Sequence, residues 1–470
     1  MGAEIPDPAK GVEMGSARRP ILFVSYPEAG LINPLFVLAE ELSRRGVDDL
    51  WFATDDIRAD DVAALKVETP VEFASLGDVV PELSAQTWDD ETYRKVTQGS
   101  RFGAHRAVVE KTFVPRLRVE KYRRLEEIVR RVRPALIVVE SLCQFGREVA
   151  ITHGIPFVVS TPFLPSTLLA PHIPFVKGHA SRGFPVPHSG LPFVMTPKQR
   201  AVNLLFKFRN AAMGVSPAIR ARVAEDAAVR KELGIADGTS DIIARAEMVL
   251  CYSIPELDYP LRIPEKMKMV GTVVPPLPQT SGDDDLSAWL DAHPSIVYLA
   301  FGTITRFTPD EVHAMVEVAH RLDGRHHLLW RLPPEQREWL PEELPPNLRV
   351  ESWLPSQLDV LAHPNVRLFF THAGSNGFHE GVYFGKPQVA RPLWVDCYDE
   401  AIRGQDLGIS LTLDHPDRVD PDDVVDKLTR VLDDLGFRDR AQRLGARLHA
   451  AGGRATAADL LQALPQLSTR

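Results

Sequence analysis

The chain has 470 residues, 44% of them hydrophobic and 25% charged, with a formal net charge of −9. That length and composition fit a soluble globular protein of two or three domains, and the acidic balance argues against a nucleic-acid or anionic-membrane binder. Three widely spaced cysteines, Cys143, Cys251 and Cys397, offer neither a disulfide framework nor zinc spacing and fit a reducing compartment such as the cytoplasm.

Residues 1–19 are polar, lack an apolar core and read as a disordered tail rather than a signal peptide. No apolar run approaches membrane-spanning length. Residues 21–26 form a continuous apolar strand. Asn33 then reads as an N-cap and Pro34 as the first residue of a helix over 34–45, which stops at Gly46. A strand over 50–54 completes a β–turn–α–β opening, which implies a parallel, doubly wound sheet. Helices are expected over much of 92–132, with the basic stretch 116–133 a solvated face interleaved with Glu120, Glu126 and Glu127. The strand 135–139 ends in Glu140, and another follows at 157–160.

Residues 161–195 are Pro-rich and apolar, and a helix over about 198–213 mixes Leu204, Leu205, Phe206 and Phe208 with Lys198, Arg200, Lys207 and Arg209. Long apolar loops of this kind are often functional. The reading favoured here is the wall or lid of a small-molecule pocket, ahead of a lipid-surface helix or an ordinary packed insert. Phe163, Leu164, His172 and Phe175, with Leu31 from the first helix, are its candidate contacts. Strands at 248–253 and 268–270 close the first sheet. The stretch 273–285, with three prolines and a polar run, is the best linker in the chain. A first domain over 20–272 and a second over 286–450 are therefore expected, with residues 451–470 as a terminal helix.

The second half repeats the β–α plan, with strands at 295–301, 327–331 and 348–352 and helices at 309–321, 421–434, 437–450 and 455–464. Its centre is the stretch 353–401. The β-branched and aromatic strand 366–370 ends in Thr371-His372-Ala373-Gly374-Ser375-Asn376-Gly377, followed by a helix through Phe384. Small residues at such a turn let the backbone approach a ligand, and the free N–H groups of the helix make an anion site. Glu380 lies one turn deeper on the face of Asn376, where a carboxylate can accept from a sugar diol. The strand 388–391 leads to Asp396. Both strands deliver polar groups from their C-terminal ends, where open α/β sheets bind ligands.

Read together, Trp353, His363-Pro364, the Phe370-to-Asn376 turn, Glu380, Gly385-Lys386-Pro387, Pro392 and Asp396 resemble the nucleotide-sugar signature of the family 1 (UDP-dependent) glycosyltransferases. The resemblance implies a GT-B fold: two doubly wound Rossmann-like domains facing across a cleft, with the last helix crossing back to the first domain. It implies that Trp353 stacks on uracil, that His372, Gly374, Ser375 and Asn376 hold the diphosphate, that Glu380 binds the ribose and that Asp396 binds the donor sugar. Leu354, Gln357 and the Gly302-Thr303 turn join the donor set, the last matching the family's F-G-S loop. Several positions depart from the family pattern. Either Ser356 or Gln357 corresponds to the family's early Gln, Cys397 stands where a sugar-contacting Gln is usual, Glu400 replaces a common Asn, and Thr272 replaces the hinge proline. In the opening motif Pro27, Gly30, Asn33 and Pro34 match, but Leu31 stands where the family places its catalytic histidine, and Glu140 where it places the orienting Asp.

The implied activity is inverting transfer of a sugar from a UDP-sugar, or another nucleotide sugar, to a small and largely apolar acceptor. The UDP-sugar is a co-substrate. No cofactor and no metal are expected, because helix N-termini can stabilise the leaving diphosphate. With Leu31 in the histidine's place, Glu140 is the first candidate for the general base and Glu28 the second. Two alternatives stay open: a catalytically silent nucleotide-sugar-binding or helper protein, and a transferase acting on amines or thiols without a base.

Overall fold

A computed structural model describes residues 20–176, 178–236, 242–278 and 284–467. The tail 1–19 and residues 279–283 of the expected linker lie outside the described residues.

Among the described residues, thirteen strands form two wholly parallel sheets. The first contains β1 (Ile21–Val24), β2 (Leu50–Thr54), β3 (Glu72–Ser75), β4 (Leu136–Glu140), β5 (Phe157–Thr161), β6 (Met248–Cys251) and β7 (Met267–Met269), in the order 3-2-1-4-5-6-7. The second contains β8 (Ile296–Ala300), β9 (His327–Arg331), β10 (Leu348–Glu351), β11 (Val366–Thr371), β12 (Gln388–Ala390) and β13 (Ser410–Thr412), in the order 10-9-8-11-12-13. The central strands are buried end to end, as a sheet covered by helices on both faces requires. Strand order reverses between β1 and β4 and between β8 and β11, and those switch points are where open sheets leave a crevice at their carboxyl ends. Glu28 and Glu140 follow the first pair; Gly302 and His372 follow the second.

One expected boundary is wrong, for a reason that bears on the cleft. The helix after β1 runs Ala29–Arg44 with Glu28 as its N-cap, so Asn33 is not a cap and Pro34 lies inside the helix. Proline has no N–H to give to the carbonyl four residues back, which here is that of Gly30. Asn376 Nδ2, from the other domain, donates to this carbonyl at 2.9 Å.

The chain's end packs on the first sheet. Ala457, Ala458 and Leu461 of helix Arg454–Gln462 join the core formed by Ile32, Leu35 and Leu42. Arg454 donates to Glu41 at 3.0 Å and to the Val274 carbonyl at 2.7 Å. Gly453 and Gly271 both adopt positive φ, and an added Cβ at Gly453 would lie 2.5 Å from the Thr272 carbonyl oxygen. Only glycine fits that crossing.

The two domains also meet along the cleft. An apolar cluster joins Leu164, Ile254 and Leu257 of the first to Phe378, Val382 and Leu448 of the second. At the other edge Trp88 meets Trp394 edge-on at 6.1 Å, and Arg306 pairs with Asp90 at 2.7 Å while its N–H donates to Tyr93 at 2.9 Å.

Candidate active site

The half on the second domain is built around His372. Its ring lies between two glycines: a Cβ at Gly374 would come within 2.3 Å of it and one at Gly302 within 2.7 Å. Ala373 takes a left-handed φ of 57°, which turns the chain sharply from β11 into helix Ser375–Tyr383. Burial lowers the His372 pKa to about 4, so the ring is neutral at pH 7 and offers a single N–H donor.

One turn into the helix, Glu380 accepts from Gln357 Nε2 at 2.6 Å, and Gln357 Oε1 accepts from Tyr298 at 3.2 Å. Burial raises the Glu380 carboxyl, and the Gln357 hydrogen bond opposes the rise. Gln357, rather than Ser356, is therefore the amide that faces Glu380; the Ser356 hydroxyl caps the short helix Gln357–Ala362. Trp353 is 66% exposed, with its ring free for stacking. The Leu354 side chain packs in the core beside Leu329 and Phe369. Arg331, which sequence reasoning missed, reaches the Gly302 carbonyl at 3.5 Å and places a cation near Tyr298. Its position at the C-terminal end of β9 was the available signal.

Ser375 departs from expectation. Its hydroxyl lies 2.8 Å from the Pro162 carbonyl and 2.7 Å from Glu400, so it faces the first domain. Burial pushes the Glu400 pKa well up, and the hydrogen bond from Ser375 opposes the rise. Asn376 likewise bonds Gly30 rather than facing inward, and exposed Thr303 accepts from Gln86 of the first domain at 3.2 Å. These side chains join the two domains.

Asp396 lies in the first turn of helix Val395–Asp406. Burial raises its pKa to about 6, against hydrogen bonds from its own and the Ser375 N–H. Cys397 is only 1% exposed, and its thiol is held neutral by burial and by Asp396. Cys397→Gln inserts a longer amide into packed surroundings, which typically costs about 1–3 kcal/mol. The expected result is a lower Tm with an unchanged profile across several UDP-sugars; a shift toward glucose at unchanged Tm would restore a contact role.

In the first domain, Leu31 is 8% exposed in the first turn of its helix. Glu140 is fully buried at the end of β4. Its Oε2 accepts from Leu142 N–H at 2.6 Å, and the Tyr26 N–H also faces the carboxylate. Burial raises its pKa to about 8; Leu142 N–H and Arg147 oppose the shift, and the charge of Glu28 adds to it. Glu28 is half-buried, and its pKa is raised by burial against hydrogen bonds from its own backbone and Ser84. The two carboxyls are thus brought to one place by the β1/β4 switch point.

The expected acceptor wall divides in three. Phe163 is half-buried just after β5, while Leu164 is 1% exposed inside the interdomain cluster and lines nothing. Residues 186–193 are tied to the second domain: His188 and Gly190 N–H donate to Asp399 at 2.6 and 3.1 Å. His172 is half-buried with its ring 6.1 Å from that of His188, which touches His105 at 3.1 Å. Burial lowers all three histidines, His105 and His188 to about 3. Phe175 is 81% exposed on the outer surface, edge-on to Phe208, and is not a pocket residue.

The model of the family described as "UDP-glucoronosyl and UDP-glucosyl transferase" matches residues 57–451. The chain is 25% identical over 329 residues to UDP-glucuronosyltransferase 2B19 of Macaca fascicularis, covering 67% of this chain and 58% of that protein. It is 29% identical over 199 residues to 2-hydroxyacylsphingosine 1-beta-galactosyltransferase of Rattus norvegicus, covering 42% and 35%. It spans less than two thirds of the length of these curated relatives. Among solved structures, the glycotransferase of kitacinnamycin superposes with a TM-score of 0.69 at 22% identity, over 96% of this chain and all of that one. UDP-glucose: anthocyanidin 3-O-glucosyltransferase, in complex with UDP, gives 0.63 at 18% over 93% and 97%. At such identities the structures speak to the fold, which is GT-B. With most of its length matched by the family model, the chain belongs to the UDP-glucuronosyl and UDP-glucosyl transferase family.

Proposed function

We propose that the protein transfers a sugar from a UDP-sugar to a small, largely apolar acceptor with inversion at the anomeric carbon. The observation that carries this reading is the seat of His372, wedged between Gly302 and Gly374 at the head of helix Ser375–Tyr383, with exposed Trp353 and the Gln357–Glu380 pair beside it. In this reading Trp353 stacks on uracil and Glu380 with Gln357 holds the ribose hydroxyls. The neutral His372 N–H, the Gly374 turn and the Gly302–Thr303 turn receive the diphosphate. Preorganised donors of this kind favour the charge that develops on a leaving oxygen, with Arg331 adding positive potential. Asp396 accepts from the sugar hydroxyls. The acceptor enters from the first domain near Leu31, Phe163 and His172. Its oxygen attacks the anomeric carbon from the face opposite UDP, its proton passes to Glu140, and UDP departs. A cytoplasmic location accords with the three free cysteines.

The test combines calorimetry with transfer assays over several nucleotide sugars and a panel of phenols, amines, thiols and macrocycles. His372→Ala is expected to lower kcat about a hundredfold or more. Trp353→Ala is expected to weaken UDP binding by about tenfold, the scale of one lost base–aromatic stack. Unchanged UDP affinity in both variants would remove the donor site from this position.

One observation favours a second reading. Leu31 has no titratable group and Glu140 no exposed surface, an arrangement that suits an acceptor nucleophilic without help, such as an amine or thiolate. The linkage of the product, N- or S- against O-glycoside, separates the two.

A further inference from the structure

Helix Pro197–Gly214 packs with its polar side inward. Its buried face consists of Asn203, Phe206, Lys207 and Asn210. Asn203 accepts from Val186 N–H at 2.8 Å and donates to the Phe184 carbonyl at 3.0 Å. Lys207 donates to the same carbonyl at 2.8 Å, and Asn210 to that of His172 at 2.9 Å. The helix thus serves the backbone of the irregular segment 172–186, whose carbonyls need donors once buried.

The opposite face carries Leu204, Leu205 and Phe208, between 44% and 50% exposed. Phe175, at 81%, extends it by its contact with Phe208 at 6.0 Å, and Ile173 and Val176 flank it. Most of the large exposed apolar side chains among the described residues lie between positions 173 and 223. A surface helix ordinarily presents the reverse arrangement, and contiguous exposed apolar surface marks an interaction site.

The charge around this face is also exceptional. Between Glu148 and Glu225 there is no acidic residue, whereas eight are Lys or Arg, in a chain of net charge −9. Exposed Lys198 and Arg209 stand three turns apart on one flank of the apolar face, and exposed Arg200 lies on the same helix. Net charge alone had argued against an anionic membrane, but it averages a basic segment with an acidic remainder.

We propose that this face docks the first domain on an anionic lipid surface. Leu204, Leu205, Phe208 and Phe175 enter the head-group boundary, and the flanking cations meet lipid phosphates. An apolar stripe bordered by Lys and Arg is the pattern of an interfacial helix. The acidic remainder is repelled by the same surface, which sets one orientation. A symmetric second copy would instead bring two acid-free basic faces together. Among the described residues no helix is long and apolar enough to cross a membrane, so the attachment is peripheral.

Co-sedimentation of the full chain with vesicles of phosphatidylcholine alone, or mixed equally with phosphatidylglycerol, tests this. Binding is expected to the anionic vesicles, roughly tenfold or more weaker to the neutral ones, and to be released by about 0.5 M salt, where the Debye length shrinks to a few ångströms. Two double variants, L204Q/F208Q and K198E/R209E, should each lose about tenfold in vesicle binding while UDP calorimetry and Tm stay at wild-type values. Absence of wild-type sedimentation with anionic vesicles overturns the proposal, as does equal sedimentation by both variants. A dimer in light scattering that L204Q/F208Q dissociates, without vesicle binding, assigns the face to a second copy and equally overturns it.

Discussion

Replacing Arg403 with methionine is expected to destabilise the folded protein by about 3–5 kcal/mol, the cost of breaking a buried ion pair from one side. Arg403 is 1% exposed and belongs to the second domain. Its Nε donates to Asp258 at 3.2 Å, its Nη2 to the Ser166 hydroxyl at 3.3 Å, and its Nη1 lies 3.6 Å from Asp399. Its guanidinium also sits 4.1 Å above the Tyr259 ring. Asp258 and Ser166 are first-domain residues, and Asp399 holds the 188–190 segment of that domain. One cation thus balances two buried carboxylates across the cleft. Burial raises the Asp399 pKa, and the Arg403 charge opposes that rise. Without the cation the Asp399 carboxyl rises further, so the folded variant binds more protons than its unfolded chain. Its deficit should then be largest at neutral pH and shrink as pH falls through the raised folded value of Asp399 toward the unfolded value near 4. At about 2–4 °C per kcal/mol for domains of this size, Tm should fall by roughly 10 °C at pH 7 and by much less at pH 5. A Tm within a degree or two of wild type at pH 7 would refute the assigned role. Asp258→Asn combined with Arg403→Met should recover part of the loss, because one stranded charge is then removed.

The contrast between this network and the donor half shows what a sequence exposes. The strands were legible because a sheet covered on both faces demands continuous apolar runs, as in residues 21–24, 136–139 and 368–370. β3 was missed because Glu72–Ser75, an edge strand, is short and mixed, with Glu72 exposed. Helix Pro217–Leu233 was missed because it buries only Ile219 and Val229, so its apolar periodicity is faint, although Ser216 caps its start and Gly234 its end. The strand–turn–helix at Thr371–Asn376 was legible because strand, small residues and helix follow one another within a dozen positions. The interdomain contacts of the Ser375 and Asn376 side chains were not legible for the opposite reason: their partners, Pro162 and Gly30, stand more than two hundred residues away. Pro34 illustrates both. Its helix-start preference was read locally, but the carbonyl it orphans is satisfied from the other domain.

Glu140→Gln is expected to lower transfer to a hydroxyl acceptor by about 10²–10⁴-fold at pH 9, the usual worth of general-base assistance. The size of the effect should depend on pH in a definite direction. With a pKa raised to about 8 by burial, Glu140 is mostly protonated at pH 6 and cannot accept a proton there. The wild-type rate should therefore climb through pH 8, while the Gln variant stays low and flat, so the ratio between them narrows toward acid. Stability supplies a second readout of the same group. Its folded pKa lies above the ordinary 4.5, so the folded state holds a proton that the unfolded chain has released. Wild-type stability is then lost as pH rises from about 4.5 to about 8, and Glu140→Gln should remove that part of the decline. Gln keeps the size and can still accept from Leu142 N–H, so a large loss of fold is not expected. The two readouts separate the roles. If Tm follows this course but an O-glycoside is still formed at wild-type rate across pH, Glu140 is a buried carboxyl and not the base. The half-buried Glu28, whose pKa burial also raises, becomes the residue to change next. If only N- or S-glycosides form and the rate ignores both carboxyls, Leu31 marks a site whose acceptor needs no base.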